Sequence, residues 1–296
     1  MQPPSPAESQ HAPATAPPGS PVTAPAQPPA PDPPPTPTLP ASLTVVLPAF
    51  NEAERIGPAL DELFQFLDDA ANVGPVAGLP AKVDVLVVDD GSRDGTAAIV
   101  ANRLEAQPTK TSEPPRLRLV RAKHAGKGAA VRTGMLASSG ATVIFADADM
   151  ATPPDQLPKL VAALGTADVA LGSRIQPDGT DMRASQPPFR QSLGRVFHRL
   201  ASIWAVGQVE DTQCGFKGFT REAALDIFGR QLVTSIVFDV ELIYVARKRG
   251  YRIAIVPIRW QDRRGSRMQP SAGLALRVAW DLLRIPYLHL RDKPRS

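Results

Sequence analysis

Between Leu43 and Leu171, short runs of β-branched residues alternate with stretches of helical periodicity, and no other feature of the sequence restricts the fold as much. Strands joined through helices pair in parallel and bury both faces, so the expectation is an α/β fold: a mostly parallel, Rossmann-like sheet with helices on both sides. The expected strands are Leu43–Leu47, Val83–Val88, Leu117–Arg121, Thr142–Ala146 and Val169–Leu171. The spacing between them predicts helices over Glu52–Ala70, Gly95–Glu105, Gly126–Ser138 and Pro154–Leu164. Such sheets bind ligands at the carboxyl ends of their strands. The polar motifs of this chain fall there.

The flanking regions are read differently. Residues 1–40 are dominated by Pro, Ala, Ser, Thr and Gln, with only Glu8, His11 and Asp32 ionisable. A stretch of that kind cannot bury enough apolar surface to order itself, and its prolines are foreign to a signal peptide. It is expected to be a disordered tail ahead of one catalytic domain, 41–270, and a C-terminal amphipathic helix and tail, 271–296. The stretches Asn72–Lys82 and Gln107–Arg116 read as loops at the end of the sheet opposite the motifs. After Arg174 the alternation ceases; a polar loop to Pro188 precedes a helix on which Leu193, Val196, Phe197, Leu200 and Trp204 repeat.

One cysteine, Cys214, excludes an internal disulfide and a cysteine metal cluster, so a cytoplasmic setting is expected. The net charge of +4 is compatible with lipid headgroups, phosphates or nucleic acid. No basic stripe with interleaved aromatics favours nucleic acid, and none is expected as a partner. No apolar run reaches the roughly 20 residues that span a bilayer. Any membrane contact is therefore expected to be peripheral, at the inner face.

Four motifs carry the chemistry. Pro48-Ala49-Phe50-Asn51-Glu52 follows the first strand and places Asn51 to cap the next helix and Glu52 at its start. Asp89-Asp90-Gly91-Ser92-Arg93-Asp94-Gly95-Thr96 ends the second strand; its glycines permit a tight turn, and its acids, with Ser92, can bond a base or ribose. Gly126-Lys127-Gly128 opens the helix after the third strand, where backbone N–H groups and Lys127 can face a phosphate. Asp147-Ala148-Asp149 ends the fourth strand. In extended chain its two carboxylates point the same way, suited to holding a divalent ion on a diphosphate. Each motif alone has an ordinary structural reading, as a cap, an acidic turn or a helix start. Four in a row on successive strand ends supply what a nucleoside diphosphate requires.

Pro48–Glu52, Asp89–Thr96, Gly126–Arg132 and Asp147–Asp149 resemble, in order and context, the family 2 glycosyltransferases, and within them the dolichyl-phosphate and polyprenyl-phosphate sugar transferases. The resemblance runs from about Leu43 to Arg284. It implies a GT-A fold, a nucleotide-sugar donor, Mg²⁺ or Mn²⁺ held by Asp147 and Asp149, and a donor site that also includes Pro48, Ala49, Asn51, Glu52, Asp89, Asp90, Ser92, Lys127 and Ala148. Leu171-Gly172-Ser173-Arg174, Phe189-Arg190 and Thr212–Lys217 look like the family's acceptor side, which implies that Arg174 and Arg190 hold a lipid-phosphate acceptor. Each arginine also has the simpler reading of a surface salt bridge. Asp262–Arg267 looks like the family's loop over the diphosphate, with Arg267 as a donor contact; a solvated basic loop is the alternative.

Asp239 or Glu241, in Phe238-Asp239-Val240-Glu241, would serve as general base if the acceptor were a hydroxyl. Against a phosphate, already anionic, they would shape the site, or simply charge a helix start. Leu274–Ile285, stopped by Pro286, places Arg277, Asp281 and Arg284 on one stripe and Leu276, Val278, Trp280, Leu282, Leu283 and Ile285 on a broad apolar surface, suited to a membrane interface or to the core. The resemblance favours UDP-glucose as donor and a polyprenyl phosphate as acceptor. GDP-mannose, a soluble hydroxyl acceptor, and a nucleotide-sugar sensor without turnover stand as alternatives. The dolichyl-phosphate enzymes begin with a membrane helix, whereas this chain begins with the Pro-rich segment.

Overall fold

The structure is a computed structural model that describes residues 39–73, 78–106, 116–182, 209–263 and 272–295. The expected tail, the loop segments 74–77 and 107–115, the helix around Leu193–Trp204, Arg190 and Arg267 lie outside the described residues.

The elements run β1 (Leu43–Ala49), α1 (Ile56–Val73), β2 (Val83–Asp89), α2 (Thr96–Glu105), β3 (Leu117–Arg121), α3 (Lys127–Ala137), β4 (Thr142–Ala146), a 3-10 turn (Pro154–Gln156) leading into α4 (Leu157–Ala163), β5 (Val169–Ser173), β6 (Phe216–Thr220), α5 (Arg221–Arg230), α6 (Phe238–Arg249), β7 (Ile253–Pro257) and α7 (Ala272–Leu288). Among the described residues they form one seven-stranded sheet in the order β3-β2-β1-β4-β6-β5-β7. β1, β2, β3 and β4 are parallel, β6 is antiparallel to both its neighbours, and β7 is parallel to β5. Because β1 lies between β2 and β4, the chain reverses its winding direction there, and a crevice opens at the carboxyl ends of β1 and β4.

Alternate residues of β1 serve two cores, as the two-residue period of a strand requires. Val46 joins a cluster under α3, α5, α6 and α7 that includes Phe145, Phe219, Phe228 and Phe238. Val45 and Leu47 join one under α1 and α4 that includes Ile56, Leu60, Leu63 and Leu160. The phenylalanines interlock, with Phe219 and Phe228 edge-on at 5.1 Å.

Three expectations change. The alternation does not end at Arg174: β6 and β7 complete the sheet. β6 reads Phe-Lys-Gly-Phe-Thr, and its lysine breaks the apolar pattern although Lys217 is fully buried. α1 starts at Ile56, not Glu52, because residues 51–55 form a turn in which the Glu52 carbonyl accepts the first helical hydrogen bond, from Ile56 N–H at 2.8 Å. α7 runs through Pro286 to Leu288.

α3 approaches the sheet closely at Gly134, where an added Cβ would collide with Val46 Cγ1 and Val88 Cγ2. Gly134→Val is therefore expected to cost roughly 1–3 kcal/mol of stability, read as a lower urea midpoint. An unchanged midpoint would mean that α3 can shift off the strands freely.

Candidate active site

The loops after β1 and β2 are tied together. Asn51 adopts a left-handed backbone (φ 55°), a conformation asparagine tolerates better than most residues. It does not cap α1 as expected; its Oδ1 accepts the Arg93 N–H at 2.8 Å, while its own N–H donates to Ser92 Oγ at 2.8 Å. Glu52 N–H donates to Thr96 Oγ1 at 2.7 Å. The Glu52 carboxylate grips Arg55 with both oxygens, at 2.5 and 2.6 Å. Pro48 and Ala49 are the last β1 residues and pair with Val88 and Asp89.

Asp89 and Asp90 are buried. Asp89 Oδ1 accepts the Ser92 N–H at 3.3 Å and so closes the turn. Asp90 reaches across to the start of α3, where its carboxylate accepts N–H bonds from Ala125 at 2.9 Å and Gly126 at 3.0 Å and pairs with His124 Nδ1 at 2.8 Å. Three donors thus meet the Asp90 carboxylate, which ties the turn after β2 to the start of α3. Gly126 has φ 101°, and Gly128 N–H donates to the Thr234 carbonyl at 3.0 Å; a side chain at either glycine would strike that carbonyl. Lys127 is thus fixed as the first residue of α3.

β4 ends at Ala146, so Asp147, Ala148 and Asp149 are not in extended chain as expected. They form a turn closed by Met150 N–H to the Asp147 carbonyl at 3.0 Å, with Met150 at φ 51°. The turn still keeps the carboxylates close. Burial and the neighbouring Asp147 charge push the Asp149 carboxyl above the usual range, against Ala151 N–H, Arg55 and Lys127. Lys127 Nζ lies 2.6 Å from Asp147 Oδ1, and Arg55 Nη1 lies 3.5 Å from Asp149 Oδ2. Burial disfavours the Lys127 charge, but Asp147, Asp239 and Asp149 outweigh it and hold its pKa above the ordinary value. Gly215 packs against Asp147 so closely that a Cβ would occupy the carboxylate's place. Among the described residues no three His, Cys, Asp or Glu side chains could jointly hold a metal. Two carboxylates in such a cradle suit Mg²⁺ or Mn²⁺, which characteristically take one or two protein carboxylates and complete their shell with phosphate oxygens and water.

Behind the carboxylates, Lys217 Nζ is buried between Asp239 Oδ1 and the Cys214 carbonyl, both at 2.5 Å. Burial raises the Asp239 carboxyl, while Lys217 and Lys127 oppose the rise. Cys214 is buried, and burial pushes its thiol up to about 12, so it stays protonated. On the far side, Arg174 is clamped by Asp211 through Nε at 2.8 Å and Nη2 at 2.6 Å, with its guanidinium carbon 5.6 Å from the Trp260 ring centre. Burial disfavours its charge, and Asp211 more than restores it.

The pattern that describes glycosyl transferase family 2 matches residues 44–228. The chain belongs to that family. A dolichyl-phosphate β-glucosyltransferase of Trichomonas vaginalis is 39% identical over 82% of this chain and 70% of its own length. The dolichyl-phosphate β-glucosyltransferase of Homo sapiens is 34% identical over 83% of this chain and 76% of its own. The fold is that of the GT-A glycosyltransferases. A crystal structure of glucosyl-3-phosphoglycerate synthase from Mycobacterium tuberculosis, in complex with Mn²⁺, UDP and glucosyl-3-phosphoglycerate, superposes with a TM-score of 0.55 at 20% identity, covering 86% of this chain and 82% of that one.

Within this family 2 glycosyltransferase, Arg55, Asp211 and Lys217 belong to the charged network; of these only Lys217 falls in a segment, Thr212–Lys217, that the resemblance marks. Arg55 had a signal, lying three residues beyond Glu52 at helical spacing. The partners of Asp211 and Lys217 are not legible locally, because they lie 37 and 22 residues away.

The structure does not bring Glu241 to the carboxylate pair. On a helix, residues two apart point about 200° from one another, so Asp239 faces Lys217 while Glu241 faces the C-terminal segment. Its carboxylate accepts N–H bonds from Leu232 at 2.9 Å and Val233 at 2.8 Å and pairs with His289 Nε2 at 2.8 Å; His289 Nδ1 meets Asp292 Oδ2 at 2.8 Å. Lys248 donates to the His289 carbonyl, and Arg230 holds Asp292. Burial disfavours the imidazolium, but the Glu241 and Asp292 carboxylates prevail and raise the His289 pKa above its ordinary 6.5. A raised folded-state pKa means that this stabilisation is complete below pH 6.5 and fades as pH climbs through the folded value. His289→Gln is expected to cost roughly 1.5–3 kcal/mol at pH 6 and to flatten the decline of the urea midpoint on the alkaline side. A wild-type midpoint that does not fall there would contradict the charged clasp.

Proposed function

We propose that this enzyme transfers glucose from UDP-glucose to a polyprenyl phosphate of the dolichyl type, with inversion, at the cytoplasmic face of a membrane. The observation that carries the reading is the Asp147–Asp149 pair at the β1/β4 crevice, faced by Lys127 at a helix start and by Arg55. Carboxylates for a divalent ion beside cations for phosphate oxygens are the complement of a sugar nucleotide. The names of the Trichomonas vaginalis and Homo sapiens relatives support glucose and a dolichyl phosphate.

In this reading Asp147 and Asp149 would hold Mg²⁺ or Mn²⁺, which when bound would favour departure of the nucleotide by drawing charge from the diphosphate. Lys127 would meet the diphosphate at the α3 N-terminus, and the laced loops of Pro48–Glu52 and Asp89–Thr96 would seat the nucleoside. The acceptor phosphate would attack the anomeric carbon from the opposite face, giving a β-linked product from an α-linked donor. Neither acid on α6 is poised to take a proton: Asp239 is buried on Lys217, and Glu241 is closed under His289. This favours an acceptor that needs no base, because a phosphate monoester has its second pKa near 6 and is already largely anionic. Arg174 would draw that phosphate, Nη1 being the guanidinium nitrogen that the Asp211 pair does not use. Arg190 is proposed as its companion and Arg267 as a donor contact.

The membrane contact rests on α7. Leu282 and Ile285 are buried in the core and Asp281 faces inward to Ser235, whereas Leu276, Trp280, Leu283, Tyr287 and Leu290 form an outward stripe, each 50–74% exposed. Arg277 and Arg291 stand exposed beside it. Aromatic and aliphatic side chains rimmed by arginine suit the surface of an anionic bilayer. No helix among the described residues is long and apolar enough to cross a membrane.

The test is turnover of radiolabelled UDP-glucose by the purified full chain with Mn²⁺ or Mg²⁺ and a short polyprenyl phosphate, run beside GDP-mannose. Label is expected to enter the organic phase with UDP-glucose alone, and Asp149→Ala to reduce the rate at least about a hundredfold. Label that remains in water while UDP still binds would exclude the lipid phosphate as acceptor.

A further inference from the structure

Each carboxylate of the Asp147–Asp149 pair already faces a cation of the protein. Lys127 Nζ is 2.6 Å from Asp147, with side chains that are 36% and 37% exposed and so have room to part. Arg55 Nη1 is 3.5 Å from Asp149. Arg55 is directed there by Glu52, which bonds its Nε and Nη2 and leaves Nη1 facing the pair. The backbone beneath Lys127 is fixed by Asp90, by the Thr234 carbonyl and by Gln231, whose Nε2 donates to the Gly128 carbonyl at 2.9 Å. The four-carbon stem of Lys127 is therefore the part that can swing.

The charges in this group have a consequence for binding. The two carboxylates are balanced by Lys127 and, in part, by Arg55, which it shares with Glu52. A divalent ion arriving alone must push Lys127 off its close pair with Asp147, leaving it only the more distant field of Asp239, and must repel Arg55, which keeps Glu52; a diphosphate arriving alone must approach two carboxylates. Arriving together, the two ligands bring nearly cancelling charge. The α3 N-terminus, which favours an anion, is disfavoured ground for an ammonium until a phosphate accompanies it.

We propose that Lys127 and Arg55 are exchangeable counter-ions of the carboxylate pair: they hold Asp147 and Asp149 against one another's charge, and turn to the diphosphate oxygens when a divalent ion takes the carboxylates. The inference rests on the donor-site reading given above, and it assigns Arg55 to the site and Glu52 to positioning it. Removing either cation would then improve binding of the metal by itself while weakening the nucleotide's help.

The experiment is a titration of the full chain with Mn²⁺, following free Mn²⁺ by electron paramagnetic resonance, with and without UDP. The wild-type protein is expected to bind Mn²⁺ weakly alone and more tightly with UDP. Lys127→Met is expected to tighten binding of Mn²⁺ alone on the order of fivefold and to shrink the gain from UDP. Arg55→Met should shift in the same direction by less, because its pair is longer, and gives a second reading if the lysine variant fails to fold. Lys127→Arg keeps the charge and should retain the wild-type pattern. Mn²⁺ affinity that is unchanged or lowered in folded Lys127→Met and Arg55→Met overturns the exchange while leaving the donor site standing. Wild-type protein that takes up no Mn²⁺ even with UDP overturns the donor-site reading and the exchange with it.

Discussion

Two carboxylates two residues apart at the end of a central strand repel one another, and the architecture around the crevice answers that repulsion. Lys127 meets Asp147 from the start of α3, Arg55 meets Asp149 from the turn before α1, and behind them Lys217 of β6 neutralises Asp239 of α6. The charges alternate from Lys217 through Asp239, Lys127 and the carboxylate pair to Arg55 and Glu52. Each member is placed by backbone from a different part of the chain, so the network closes only when β1, β4, β6, α3 and α6 are packed. A buried lysine adds little net stability, because desolvation offsets most of the attraction. What Lys217 and Asp239 fix is the position of the charges around them.

Backbone contacts do as much to set this geometry as side chains. Gly126 and Gly128 let α3 begin against the Thr234 carbonyl, and Gly215 lets β6 begin against the Asp147 carboxylate. Thr234 belongs to the segment between α5 and α6, the same segment whose Leu232 and Val233 N–H groups are held by Glu241. The His289 clasp on Glu241 therefore bears on the loop that seats Lys127. The C-terminal helix, with one face in the core and the other turned outward, joins that loop to the surface proposed to meet a membrane.

The first four strands and the places of the four motifs were legible in the sequence because they depend on local pattern: β-branched runs, glycines at turns, and acids where a strand gives way to a loop. What the motifs contact was less legible. Asn51 looks like a helix cap and instead ties two loops, because Arg93, in the loop after β2, competes for its oxygen. Asp90 looks like a ligand contact and holds the start of α3. β6 was hidden by its own lysine, since a charge inside a strand is read as a loop until Asp239, distant in sequence, is seen to neutralise it. In each case the missing information is a long-range partner, which neither composition nor periodicity encodes.

The same limit affected the acids of α6, and there the structure changes the chemical argument. In the sequence Asp239 and Glu241 appear close together as alternative candidates for a base. The helical turn sends one beneath the carboxylate pair and the other to the C-terminus, and both are engaged with cations. An enzyme that activates a hydroxyl keeps a carboxylate or imidazole within reach of the acceptor with its proton-accepting oxygen or nitrogen available. What this crevice offers in that direction is Arg174, a guanidinium on a buried aspartate. A guanidinium withdraws charge and accepts no proton. It is suited to drawing in an acceptor that is already an anion, and the burial of both α6 acids and the proposed phosphate acceptor fit one arrangement.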